Sequence, residues 1–195
     1  MKETDEDLVA RLQEGRIAAF RVLYDRHRDA MQRLALGITG NRADAEDAVQ
    51  DAFIMLFRKV SAFRGEAAFR TWFYRIVVNA CLVLCRKRRI TEELPEASSL
   101  VAPQQPPAEN EAKQRLALAL EELPLRQRTV FTLAVMQGLS LTEVAKILGV
   151  QAGTARYHLS MARETLRIKL GPVLGSRGSD GGEDKTLAKV RTTKE

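Results

Sequence analysis

Three groups of side chains in this 195-residue chain have the spacing of a single helix face. Thr154, Arg156, Tyr157, Ser160 and Arg163 form one. Arginine donates paired hydrogen bonds to a guanine edge and hydroxyls meet bases or phosphates, so a helix presenting these groups can read duplex DNA in the major groove. Arg75, Asn79, Leu82 and Arg86 form the second. This is a basic stripe with one amide, suited to a sugar-phosphate backbone with a base edge beside it. Asp47, Gln50, Asp51 and Ile54 form the third, and an acidic-amide stripe of this kind is, taken alone, ordinary solubilising surface.

The parts needed for bond-making chemistry are missing. There is no Gly-rich phosphate loop ending in Lys-Ser or Lys-Thr and no His-Glu-x-x-His, and the two histidines, His27 and His158, offer no nucleophile-base pair. No enzymatic activity, cofactor or metal is therefore expected. Cys81 and Cys85, four apart, supply half a metal or redox site, and with no other cysteine they read as small buried hydrophobes. His158 reads as a surface residue.

Helices must position these groups. From Asp5 to Arg89, apolar residues recur at three and four spacing: Leu8, Val9, Leu12, then Phe20, Leu23, Tyr24, Met31 and Leu34. Breaks at Gly15, between Gly37 and Asn41, and between Ser61 and Gly65 divide this half into helices over roughly 5–14, 17–37, 43–60 and 66–89. The third opens with Asp44, Glu46 and Asp47 and the fourth closes with Arg86, Lys87, Arg88 and Arg89, each favourable to the helix dipole. Residues 90–110 hold Pro95, Pro103, Pro106 and Pro107 among acidic and small polar residues, which forbids a continuous helix and marks a flexible linker. Helices are expected again at roughly 111–122, 125–137 with Pro124 in a first-turn position, 141–148 and 152–170. Residues 171–195 read as a mobile tail. The expected fold is all-α, with two small helical domains, 5–89 and 111–170, joined by the linker.

Residues 141–160 carry a helix-turn-helix pattern. Ser140-Leu-Thr-Glu143 has the form of a capping box. Val144, Ala145 and Leu148 make the inner face of the first helix, Gly149 tolerates the positive φ that ends it, and Val150 plugs the corner. Ala145 is small where the second helix must cross closely. That helix buries Ala155, Leu159, Ala162 and Leu166 and turns the arginine-bearing face outward, together with Arg167.

Charge follows the same division. The net charge is +6, but residues 66–89 carry six basic groups against one acidic, 90–124 two against seven, and 125–170 seven against two. Two basic blocks, each ending a helical unit, point to two separate contacts with nucleic acid. There is no apolar run of membrane-spanning length and the first residues are acidic, so a cytoplasmic protein is expected.

Ala45-Glu-Asp-Ala-Val-Gln-Asp-Ala-Phe-Ile-Met-Leu-Phe57, followed by Phe63-Arg-Gly-Glu-Ala-Ala-Phe-Arg-Thr-Trp-Phe-Tyr-Arg-Ile-Val-Val-Asn79 and by the helix-turn-helix, resembles the sigma-70 family. The match is with its extracytoplasmic-function branch and covers about residues 5–170. The resemblance implies that Asp47, Gln50, Asp51 and Ile54 grip the coiled coil on the clamp-bearing subunit of core RNA polymerase. It implies that the loop Ser61–Gly65 and the helix to Arg89 open the minus-10 element and hold its unpaired strand. The helix-turn-helix would read the minus-35 element, and an anti-sigma factor is among the partners such proteins commonly have. For the strand, Phe63, Arg64, Arg75, Asn79 and Arg86 are the expected contacts, Phe63 because it is an aromatic in a loop. Trp72 and Phe73 instead fit the core periodicity. The chain has Tyr157-His158 where the family usually shows serine and arginine, and Met161 where it shows a second arginine, so no particular minus-35 sequence is implied. A stand-alone duplex-DNA regulator is the main rival, and it leaves the Asp47-Gln50-Asp51 stripe and the basic fourth helix without a task. A partner-sequestering adaptor is a further one.

Overall fold

The computed structural model describes residues 3–92 and 111–174, and these are helical with no strand among them. They fall into two compact units, one built from the helices before the linker and one from those after it. The expected all-α, two-domain organisation is what is found.

In the first unit α1 spans Asp5–Gln13, α2 Ile17–Thr39, α3 Arg42–Lys59 and α4 Phe69–Glu92. Thr4 starts α1 with a reciprocal cap: its hydroxyl accepts from Asp7 N–H at 3.1 Å while Asp7 accepts from Thr4 N–H at 3.0 Å. The Thr4 hydroxyl, 2.6 Å from Asp7 Oδ2, and secondarily the Thr4 N–H donate to the Asp7 carboxyl and hold it below its ordinary range. α2 runs through Gly37 and stops at Gly40, whose φ of 70° lets its N–H return to Leu36. The stop falls within the expected break of 37–41, two residues beyond the expected helix end at 37, because an isolated glycine weakens a helix by only about 1 kcal/mol and need not end it. α2, α3 and α4 pack on one another with α1 laid across α2 and α4. Leu8, Leu23, Met31, Leu34, Leu56, Phe69, Phe73 and Val77 form a fully buried core. α4 starts at Phe69 rather than 66, after a loop whose Gly65 has φ 71°.

Asn41 sets the α2–α3 corner. Its side chain accepts from Asp44 N–H at 3.0 Å, and the single Thr39 hydroxyl proton is shared between the Ala35 and Asn41 carbonyls, each 3.0 Å away. Asn41→Ala leaves a helix-start donor without its partner and is expected to lower stability by about 1 kcal/mol, read as a lower urea midpoint. An unchanged midpoint would show that the cap contributes nothing.

In the second unit α5 spans Glu111–Glu121, α6 Leu125–Phe131, α7 Leu141–Leu148 and α8 Ala152–Leu174. Pro124 stands just before α6 with extended ψ of 136°, one residue earlier than the first-turn position expected, and its carbonyl accepts from Arg128 N–H at 3.0 Å. The helix continues as one wide π turn, Thr132–Met136, closed by Gln137 N–H to Thr132 at 3.0 Å. Val130, Phe131, Leu133, Leu139, Val144, Ala155, Ala162 and Leu166 supply the core. α8 continues past the expected 170 to Leu174, and α4 takes in Ile90, Thr91 and Glu92 from the expected linker. The rest of that linker, 93–110, and the tail from 175 onward lie outside the described residues.

Candidate functional site

The recognition face is built from local capping outward. Glu143 N–H donates to the Ser140 hydroxyl at 3.3 Å, and Ser140 N–H donates to Glu143 Oε2 at 2.9 Å, so the expected capping box is present at the start of α7. Gly149 has φ 66° and Val150 N–H reaches back to the Ala145 carbonyl at 3.0 Å, which makes the tight turn into α8. Ala155, Leu159, Ala162 and Leu166 are buried as the spacing requires. Consequently Thr154, Arg156, Tyr157, Ser160 and Arg163 are all exposed. Leu141, Arg156, Leu159, Ser160, Arg163, Glu164 and Arg167 line a shallow groove of about 390 Å³. Two details differ from the sequence reading. Ile147 is buried where Leu148 was expected, and Leu148 is half-buried, because both lie near the edge of an apolar face broader than one row. His158 is half-buried rather than on the surface, with its ring 5.6 Å from that of Tyr157.

The second set rides on α4. Phe73, Val77, Val78 and Cys81 are buried on one side, which leaves Arg75, Asn79 and Arg86 exposed and Leu82 half-buried on the other. Phe73 is core, as its spacing indicates, whereas Trp72 is half-buried at the core's edge. Phe63 is not a free loop aromatic: it follows a single 3₁₀ turn, Val60–Ala62, is half-buried, and packs its ring 5.1 Å from Trp72 and edge-on to Phe69 at 6.2 Å. A neighbouring aromatic pair supplies the burial that a loop position alone does not suggest. Arg64, next to it, is exposed. Burial, and secondarily the nearby Cys85, push the Cys81 thiol up to about 12, so it stays protonated and unreactive. Cys85 is only half-buried, at the rim rather than inside.

The third set is on α3, where Asp47, Gln50 and Asp51 are exposed and Ile54 is 42% exposed. Sequence reasoning missed what adjoins it. Phe20 and Tyr24 of α2 face Phe53 and Phe57 of α3, with ring separations of 4.7 Å for Tyr24–Phe53 and 5.5 Å for Phe20–Phe57. They floor an open groove of about 560 Å³, edged by Gln50, Ile54, Arg28 and Arg58. Phe57 is 49% exposed, so an apolar trough lies directly beside the acidic-amide stripe. Two aromatic pairs at four spacing, one per helix, are the signal that was there to be read.

Among the described residues no cluster of three or more His, Cys, Asp or Glu can hold a metal ion. No described helix is long and apolar enough to cross a membrane.

Sigma-70 region 2 matches residues 23–90, and Sigma-70, region 4 matches residues 113–166. The chain is 34% identical over 174 residues to ECF RNA polymerase sigma factor SigM of Mycobacterium tuberculosis, covering 87% of this chain and 86% of that protein. It is 32% identical over 185 residues to the ECF RNA polymerase sigma-E factor of Escherichia coli, covering 88% and 96%. The fold is similar to that of the sigma factor RpoE in complex with the anti-sigma factor NepR from Bartonella quintana, with a TM-score of 0.67 and 25% identity over 78% of this chain and 96% of that one. With both regions matched in order and full-length relatives above 30% identity, the chain belongs to the ECF group of sigma-70 RNA polymerase sigma factors.

Proposed function

We propose that this sigma factor divides its work among the three exposed faces. The α3 stripe Asp47, Gln50, Asp51 and Ile54, with the aromatic trough beside it, docks on core RNA polymerase through acidic contacts around an apolar centre. Phe63, Arg64, Arg75, Asn79 and Arg86 take the unpaired minus-10 strand, the cations on phosphates and the amide on a base edge. Thr154, Arg156, Tyr157, Ser160 and Arg163 read the duplex minus-35 element in the major groove. Phosphodiester chemistry stays with the polymerase, and the protein works beside it in the cytoplasm. An anti-sigma factor that covers these faces completes the set of partners, in keeping with the RpoE–NepR likeness.

The observation that carries this division is the exposure of three sets, with Phe63 alone half-buried, on one chain that matches both sigma regions in order. The test is co-elution with core RNA polymerase followed by run-off transcription on genomic fragments with mapped start sites. Arg156→Ala is expected to lower initiation about tenfold or more at promoters that need the minus-35 element, while leaving core binding intact. Failure of the wild-type chain to bind core would overturn the proposal in favour of a stand-alone regulator.

A further inference from the structure

α1 lies ahead of residue 23, where the match to region 2 begins, and none of the three faces uses it. Its side chains nevertheless hold both ends of the loop between α3 and α4. Gln13, the last residue of α1, donates from Nε2 to the carbonyl of Val60 at 2.8 Å and to that of Phe63 at 2.9 Å. A single amide NH₂ has two donors, and here each finds one oxygen. At the loop's exit Glu6 Oε1 accepts from Phe69 N–H at 3.3 Å, one of the donors left open at the start of α4. Glu6 and Gln13 are two helical turns apart, so one edge of α1 spans the loop from entry to exit.

α1 is itself anchored. Leu8, Val9 and Leu12 are buried, and Asp5 accepts from Arg26 at 2.5 Å and pairs with His27 Nε2 at 2.8 Å on α2. Beyond Phe63, whose ring packs on Trp72 and Phe69, the loop has little else to hold it. Arg64 to Ala68 are all exposed and Gly65 has positive φ. A segment with so few buried contacts loosens locally before its domain unfolds.

We infer that α1 is a brace that fixes the strand-contact loop, with Gln13 as the positioning residue that sets where Phe63 and Arg64 stand; the inference rests on reading those two as minus-10 contacts. Gln13 touches no DNA in this scheme. It acts by holding the carbonyl of Phe63 while the ring leans on Trp72.

The test uses holoenzyme made from core polymerase and the full chain. The probe is a fluorescent single strand bearing the minus-10 region of a promoter mapped by run-off transcription. Gln13→Glu replaces both donors by acceptors facing two carbonyls and is expected to weaken strand capture about tenfold, with core affinity held within about twofold. Gln13→Lys, which keeps donors in reach, should recover most of the loss, and Glu6→Gln, which keeps an acceptor oxygen, should stay near wild type. The inference is overturned if Gln13→Glu captures the strand like wild type. It is equally overturned if Gln13→Glu and Gln13→Lys lose strand capture, core affinity and unfolding midpoint together, since the contact is then only part of the fold. A different result points elsewhere: if Phe63→Ala and Arg64→Ala leave capture unchanged, or wild-type holoenzyme ignores the strand, the strand-contact reading fails and takes the inference with it.

Discussion

A protein carrying both Asp47→Lys and Asp51→Lys is expected to lose core polymerase affinity by about 100-fold or more, and its run-off activity with it. Both carboxylates are exposed, and no hydrogen bond or ion pair within the described residues uses them, so reversing them leaves the fold of α3 intact. Single exposed ion pairs contribute little, about 0–1 kcal/mol. Reversal differs from removal: in the proposed docking, two attractions become two repulsions at the rim of the same interface, and like charges pressed together cost several kcal/mol. The effect should shrink as salt is raised, because exposed charges are screened within about 10 Å at 0.1 M. Native gel shift or fluorescence anisotropy against core polymerase, at two salt concentrations, measures it. A charge-reversed protein that binds core as tightly as wild type would remove α3 from the docking face, whatever the similarity to other sigma factors.

Phe73→Ala is expected to cost the first unit about 3–5 kcal/mol, the usual range for truncating a fully buried phenylalanine. Its ring is 0% exposed and lies nearly parallel to Phe69 at 5.7 Å, with Phe53 at 5.0 Å and the His27 ring edge-on at 6.0 Å. The substitution opens a cavity where α2, α3 and α4 meet, and the neighbouring rings cannot collapse into it without abandoning one another. Trp72, the only tryptophan in the chain, sits beside it, so denaturant unfolding followed by its fluorescence reports on this unit. Phe73→Leu should lose much less, since most of the volume is kept. Equal midpoints for wild type and Phe73→Ala would mean that the aromatic cluster is not what holds the unit together.

The helices were legible because the periodicity of apolar residues is a local property. Leu8, Val9 and Leu12, or Ala155, Leu159, Ala162 and Leu166, repeat at the spacing that makes one helix face, and each is buried. The capping box at Ser140 and the left-handed Gly149 were legible for the same reason, since both act within a few residues. Boundaries were less so. A glycine or proline weakens a helix without dictating where it ends, which is why α2 passes Gly37 and α8 passes Gly171.

From the sequence alone came the all-helical class, the two-domain division, the exposed faces of α3, α4 and α8, and a resemblance strong enough to name the family. Only the tertiary structure decided that Phe63 leans on Trp72 and Phe69, that Phe20, Tyr24, Phe53 and Phe57 make a trough beside the acidic stripe, and that Gln13 holds a carbonyl fifty residues away. The physical reason is the same in each case. A helix face is set by neighbours three and four positions along the chain, whereas these contacts join different helices, and their partners are chosen by how the helices pack.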